Sequence, residues 1–277
     1  MKQATVLSLL IWYFCSCASE SEHVNNMYRE HAVDAPVSNE LSEVSVSVTI
    51  DSKMVDYATM NGHTAKGYLS RPSDSTGPFP GIIVIHEWWG LNDNIRSMTD
   101  QLAAAGYQAL AVDLYNGRLA ETPEDARRLM SASLENRDVL TENVRQAYSY
   151  LSSQKQKVGT IGWCFGGGWS LNTAIALPED IDATVIYYGR LVSERDVLQP
   201  LKMPILGFFG GLDQGISLKS VSAFEEVLIA LGKEVDIRIY DDADHAFANP
   251  SGTNYQAGPA KEAWEETLAF FHKHLKS

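Results

Sequence analysis

Cysteine is scarce in this chain. Three occur in 277 residues, and two of them, Cys15 and Cys17, lie at the extreme N-terminus. Cys164 is therefore the single thiol of everything downstream. That excludes a disulfide within the body and leaves an odd cysteine, a flag for a reactive thiol or an intermolecular link. Positive charge is also thin: 22 Lys and Arg stand against 35 Asp and Glu, a formal net charge of -13. A nucleic-acid partner needs a concentrated basic surface to neutralise phosphates, and the chain offers none. Membrane-length apolar runs are missing too. The N-terminal run from Val6 to Phe14 falls well short of the roughly 20 residues that cross a bilayer as a helix. There is no internal repeat and no low-complexity tract in the body. With 45% hydrophobic and 21% charged residues, the composition is that of an ordinary folded, globular body.

What is present begins with a leader. Lys2 precedes the apolar run, the arrangement of a signal peptide, and the run ends in Phe14-Cys15-Ser16-Cys17-Ala18-Ser19. A small residue just before a cysteine resembles a bacterial lipoprotein cleavage site. Residues 1–17 are thus expected to be a lipoprotein-like signal peptide, with Cys17 the lipidated first residue of the mature chain. The implied protein is exported, periplasmic or in the cell envelope, and meets the membrane only through an N-terminal lipid anchor. Residues 18–42 carry Ser, Glu, Asn and His with few large apolar side chains, the composition of a polar tether. The folded domain is expected over 43–277.

Val44, Val46, Val48 and Ile50 alternate with polar residues, the two-residue period of a half-buried strand. Further strands are expected at 54–60 and 65–69, on either side of the turn Asn61-Gly62. From Gly81 onward the strands become continuous apolar runs at 82–85, 108–112, 158–161, 183–186 and 205–209, followed by a sixth at 235–240. Such runs suit strands covered on both faces. Helix-like segments fall between them at 94–105, 123–133, 137–152, 168–176 and 218–231, with a last one at 259–275. Strand and helix in alternation predict one α/β domain built on a mostly parallel central sheet with helices on both faces.

The stretch Ile161-Gly162-Trp163-Cys164-Phe165-Gly166-Gly167-Gly168 reads as a nucleophile elbow with cysteine where serine usually stands. In that turn the nucleophile sits at a sharp strand-to-helix corner, and the flanking glycines remove side chains that would collide there. A helix starting after it points N–H groups toward the sulfur and favours the thiolate. Ligands of open parallel sheets collect at the carboxyl ends of the strands, and each run here ends in polar or aromatic residues. They are His86-Glu87-Trp88-Trp89-Gly90, Asp113-Leu114-Tyr115, Cys164, Tyr187-Tyr188-Gly189, Gly210-Gly211-Leu212-Asp213 and Asp244-His245. The chain order is nucleophile, acid, histidine, that of the α/β-hydrolase triad. In such a triad His245 takes the thiol proton and passes it to the leaving group, while Asp213 holds the imidazole in the useful tautomer. Asp241, Asp242 and Asp244 compete for the orienting role, but they lie too close to His245 in sequence to reach its ring easily. Of the aromatic residues near the strand ends, Trp88 and Tyr115 are the candidate substrate contacts.

Together these motifs, from Gly67 to His274, resemble the dienelactone hydrolase family of α/β hydrolases. The shared elements are His-Glu with glycine shortly after, Asp-Leu-Tyr, Gly-x-Cys-x-Gly-Gly, Tyr-Tyr-Gly, Gly-x-x-Asp and His-x-Phe. The resemblance implies hydrolysis of a small ester, thioester or lactone through an acyl-thioester on Cys164, with no metal and no organic cofactor. It also implies that Glu87 contacts the resting cysteine and gates its ionisation, and that the backbone N–H groups of Trp88 and Phe165 form the oxyanion hole. The chain departs from the family where dienelactone's carboxylate would be held. Arg118 lies one residue farther along than the first arginine of the pattern, and Asn249 stands in place of the second. Asparagine lacks the charge and the bidentate fork of arginine, so a substrate other than dienelactone is expected. A monomer acting on a small molecule is the simplest reading. Two others remain open from the residues: a catalytically silent ligand-binding lipoprotein on the same fold, and a thiol redox protein, for which the body holds no resolving cysteine.

Overall fold

The chain enters the sheet through a hairpin. The structure, a computed structural model, describes residues 24–29, 31–32, 48–60, 62–73, 77–154 and 156–276. The leader, Cys15 and Cys17 lie outside them, as does most of the strand expected over 44–50. Strand β1 (Ile50–Met60) pairs antiparallel with β2 (His63–Pro72), and the register closes at Met60 and His63. Gly62 supplies the positive φ, 79°, that so tight a loop demands. From there the strands are β3 (Gly81–Ile85), β4 (Gln108–Val112), β5 (Val158–Trp163), β6 (Ala183–Tyr187), β7 (Ile205–Gly210) and β8 (Val235–Tyr240). They form one eight-stranded sheet in the order β1-β2-β4-β3-β5-β6-β7-β8. β2 meets β4 antiparallel, and every pairing from β4 to β8 is parallel.

The continuous apolar runs behave as buried strands must. β3, β5, β6 and β7 are buried along their whole length, whereas β8, at the sheet edge, alternates between half-buried and exposed positions. The helices are α1 (24–29), α2 (Asp93–Ala104), α3 (Pro123–Leu134), α4 (Arg137–Leu151), α5 (Phe165–Ala176), α6 (Arg195–Leu198), α7 (Leu218–Ala230) and α8 (Ala257–Leu275). Side-chain alternation along β5 assigns them to faces. Gly159 abuts Phe271 and Leu275 of α8, while Gly162, of opposite parity, abuts Gly166 of α5. α8 and α5 therefore cover opposite faces, as an α/β-hydrolase fold requires.

Four elements differ from the sequence expectation: β1 runs unbroken from Ile50 to Met60, the short α6 was not expected, and two differences concern α5 and the N-terminal stretch. Helix α5 starts at Phe165, directly after Cys164, because the three glycines expected to delay it are admitted by close packing. The stretch 18–42, expected to be a tether, contains α1, and Val24, Met27 and His31 are buried. Their spacing places all three on one helical side. The chain leaves α1 through a backbone hydrogen bond from His31 N to the Met27 carbonyl (3.1 Å). Tyr28 meanwhile lies under the Arg127 guanidinium, 5.1 Å from ring centre to Cζ, on α3. Composition alone does not expose so short an apolar stripe.

Candidate active site

The sheet order places β3 between β4 and β5, so the chain reverses its direction of travel across the sheet there. That is where a ligand crevice opens at the carboxyl ends. Cys164 stands at this edge with φ 55° and ψ -117°, between β5 and α5. The conformation follows from crowding. A Cβ at Gly162 would run into the Gly166 backbone, and one at Gly166 would run into the carbonyls of Ile85 and His86. The turn thus packs backbone on backbone, which forces Cys164 into the strained corner. Four non-glycine residues have positive φ among those described, namely Asn116, Cys164, Tyr188 and Ala246. They follow β4, β5, β6 and β8, so the backbone strain of the molecule collects at one edge of the sheet.

Asp213, after β7, and His245, after β8, meet there. His245 Nδ1 lies 2.7 Å from Asp213 Oδ2, and Asp213 Oδ1 accepts the N–H groups of Gly215 and Ile216, each at 2.8 Å. Asp244 is occupied elsewhere: its Oδ1 accepts the backbone N–H of His245 at 2.7 Å, shaping the turn rather than orienting the ring. Burial opposes a charge on the His245 imidazole. The Asp213 carboxylate, with Cys164 adding to its effect, outweighs it and holds the pKa well above the ordinary 6.5. Burial likewise pushes the Asp213 carboxyl up, yet His245 and the two backbone donors bring it below 3.8. The ring of His245 is flanked edge-on by Tyr188 and by His31, each with centroids 5.1 Å away.

His86 fastens the loop after β3. Its Nδ1 is 2.6 Å from the Glu87 carbonyl, which can only accept, and its Nε2 takes the Leu114 N–H at 3.2 Å. The proton therefore sits on Nδ1 and the ring is neutral, in keeping with a pKa depressed chiefly by burial. This staples the loop bearing Glu87 and Trp88 to the end of β4. Glu87 is buried and its Oε2 accepts from Asn249 Nδ2 at 2.7 Å. Asn249 is itself fixed, because its Oδ1 accepts from Asn94 (3.3 Å) and from the N–H and hydroxyl of Ser251 (2.8 and 2.7 Å). Where the sequence pattern showed a missing arginine, the structure shows a neutral clamp for the buried glutamate.

A small pocket, open to solvent, is lined by Glu87, Trp88, Trp89, Cys164, Asn249 and His31 together with the stretch 252–254. It brings together the thiol, the glutamate and Trp88. Phe165 lies beneath, with its ring against Tyr115 at 5.5 Å. The N–H groups of Trp88 and Phe165 donate to no other described residue. Two expected substrate contacts lie outside the lining. Tyr115 is fully buried with its ring 4.6 Å from His86. Burial pushes its hydroxyl pKa well above the ordinary 10. Arg118 turns its Nε to the Tyr115 carbonyl at 3.2 Å. Sequence reasoning missed His31 and the roles of His86 and Asn249. Only Asn249 had left a trace, as a departure from the family pattern.

The strained corner makes a stability prediction. At an ordinary position glycine costs about 0.4–1 kcal/mol relative to alanine. At φ 55°, ψ -117° an alanine retains strain of about 1–3 kcal/mol that glycine relieves. Cys164→Gly is therefore expected to be at least as stable as Cys164→Ala in chemical denaturation. A glycine variant less stable by a full kcal/mol would show the corner to be relaxed.

The model of the dienelactone hydrolase family matches residues 65–275. "Protein usf" of Aquifex pyrophilus is 33% identical over 232 residues, covering 80% of this chain and 99% of its own. A protein of Aquifex aeolicus, provisionally named a carboxymethylenebutenolidase, is 31% identical over 237 residues, covering 81% and 99%. Among solved structures, one described as a dienelactone hydrolase from Klebsiella pneumoniae superimposes with a TM-score of 0.70 at 26% identity, over 82% of this chain and all of that one. A dienelactone hydrolase-like promiscuous phosphotriesterase from metagenomic libraries reaches 0.74 at 22% identity, over 81% and 98%, and at that identity shows the fold alone. With the elbow, the acid and the histidine on the expected strand ends, the chain is an enzyme of the α/β-hydrolase fold and belongs to the dienelactone hydrolase family of carboxylic ester hydrolases.

Proposed function

We propose that this hydrolase cleaves a small carboxylic ester, thioester or lactone through an acyl-thioester on Cys164, with His245 and Asp213 completing the triad. The observation that carries the reading is the buried Asp213–His245 pair at 2.7 Å beside a thiol held at a strained helix N-terminus. An imidazole kept protonated by a carboxylate on one side and a sulfur on the other favours a thiolate–imidazolium pair. The sulfur attacks the substrate carbonyl carbon, a C–S bond forms, and the π electron pair moves to oxygen. The free N–H groups of Trp88 and Phe165 receive that oxyanion. Its collapse breaks the bond to the leaving oxygen or sulfur, which takes the proton from His245. Water then gives a proton to His245 and adds to the thioester. The second collapse releases the acid and returns the thiol.

Glu87 acts as the gate on the resting cysteine in this reading. It shares the pocket with Cys164, and its tether to Asn249 keeps a buried carboxylate in place beside the thiol. Among the described residues the pocket lining holds no lysine or arginine, and Arg118 is turned to a backbone carbonyl. Both support an uncharged acyl group over dienelactone. At the N-terminus, the leader motif supports export and a lipid anchor on Cys17.

Three outcomes test this reading. Brief exposure to a chromogenic acyl ester is expected to leave a mass adduct on Cys164 with turnover. Cys164→Ala abolishes both, and His245→Ala lowers turnover by about 10⁴-fold or more. Wild type that is folded yet shows neither adduct nor product with several esters would overturn hydrolysis in favour of ligand binding. The pH dependence follows from the signs. The His245 pKa is raised, so its proton, needed by the leaving group, is present below 6.5 and is lost only as pH climbs through the raised value. Asp213→Asn removes the main group that raises it, so the alkaline limb of kcat/KM is expected to move to lower pH. An unmoved limb would assign that limb to another group. For the anchor, Cys17→Ser is expected to shift the protein from the membrane pellet to the soluble fraction of the envelope, and wild type already found in the soluble fraction would refute it.

A further inference from the structure

One wall of the pocket comes from outside the family-matched region. The match begins at residue 65, whereas His31 lies in the N-terminal stretch, is 3% exposed and lines the cavity together with Cys164, Glu87 and Trp88. Its ring centroid is 5.0 Å from Trp88, tilted at 47°, and 5.1 Å from His245, edge-on at 68°. It therefore spans from the histidine of the triad to the residue whose N–H would receive the oxyanion. The placement is not incidental to a loose strand. Val24 and Met27 are buried against the body, Tyr28 lies under the Arg127 guanidinium of α3, and the His31 N–H closes the helical turn on Met27. Val24, Met27 and Tyr28 thus anchor the helix whose end places the His31 imidazole in the pocket that Cys164 also lines.

We propose that His31 is a specificity-determining residue. It forms the outer wall of the acyl pocket and restricts the enzyme to short, uncharged acyl groups. The geometry gives the reason. An acyl chain bonded to Cys164 must lie in the pocket that His31, Glu87, Trp88 and Trp89 line with it. The His31 ring, in contact with both Trp88 and His245, closes part of that space. A rigid aromatic wall admits an acetyl-sized group and excludes a long chain unless α1 lifts. The inference rests on the reading of Cys164 as the acyl acceptor, and its test separates the two.

The experiment uses the full chain with His31→Ala, His31→Phe and Met27→Asp, the last to detach α1 by burying a charge. Two readouts are compared. The first is the ratio of kcat/KM for p-nitrophenyl octanoate to that for the acetate. The ratio is expected to rise about tenfold or more in His31→Ala and in Met27→Asp, the size expected for opening an apolar pocket, and to stay low in His31→Phe, which restores a flat wall. The second is the rate at which N-benzyl-iodoacetamide modifies Cys164 relative to iodoacetamide, read by mass spectrometry. The two reagents share one warhead, so the ratio cancels thiol reactivity and reports access alone, whether or not any ester is turned over. A ratio raised in His31→Ala and Met27→Asp supports the wall even if hydrolysis fails. Labelling and ester ratios unmoved in both variants would overturn it. Loss of all ester turnover with raised labelling ratios would count against the hydrolytic reading and not against the wall.

Discussion

The contact between the α5 backbone and β5 governs the rest of this molecule. Gly166 can approach Ile85, His86 and Gly162 only because neither glycine carries a Cβ, and that approach leaves the intervening Cys164 no relaxed conformation. The thiol is pushed up at φ 55° while the first turn of α5 points its N–H groups past it. The other strand ends answer to the same position. Trp88 belongs to a loop whose carbonyls at residues 85 and 86 pack against Gly166, and Tyr188 N bonds the Phe208 carbonyl while Cys164 N bonds that of Tyr187. Moving α5 outward by the width of a methyl group would loosen Cys164 and its neighbours together.

Buried charge is the second constraint, and each buried carboxylate of the site is met differently. Asp213 is matched by an opposite charge and two backbone donors, so it stays ionised and holds its histidine protonated. Such pairs rarely add much net stability, because desolvation offsets most of the attraction; their value here lies in the proton they keep on His245. The sign for stability runs from both partners. The raised His245 pKa contributes fully below 6.5 and fades as pH rises through the folded value, and the lowered Asp213 pKa contributes above 3.8 and fades below. The pair therefore supports the fold most between those two values. Glu87 is met instead by the neutral amide of Asn249.

Much of this was legible in the sequence because it depends on local rules. Continuous Val and Ile runs report strands covered on both faces, and the expected ranges 108–112, 183–186 and 235–240 fall within a residue of β4, β6 and β8. The elbow glycines and the order Cys164, Asp213, His245 are read off directly, since each sits at the end of such a run. The start of α5 was not, because three glycines in a row argue against a helix by propensity. Close tertiary packing overrode that preference. The roles of His86 and Asn249 were illegible for another reason. Both act through partners far away in the chain, Leu114 and Glu87, and single-sequence patterns carry no signal for such pairs.

The N-terminal stretch shows the limit most clearly. Its composition is that of a solvated linker, and on average that is a fair description. Yet a tether that supplies three buried side chains, Val24, Met27 and His31, has become part of the body at the place where it crosses the pocket. A stripe of one valine, one methionine and one histidine is too short to form a stable isolated helix. It acquires order only from the surface beneath it, and that surface is the edge of the active site. In this chain the His31 wall lies outside residues 65–275, the part that matches the family model. An extension held by a few contacts over the nucleophile is a site where acyl preference can change while Cys164, Asp213 and His245 stay as they are.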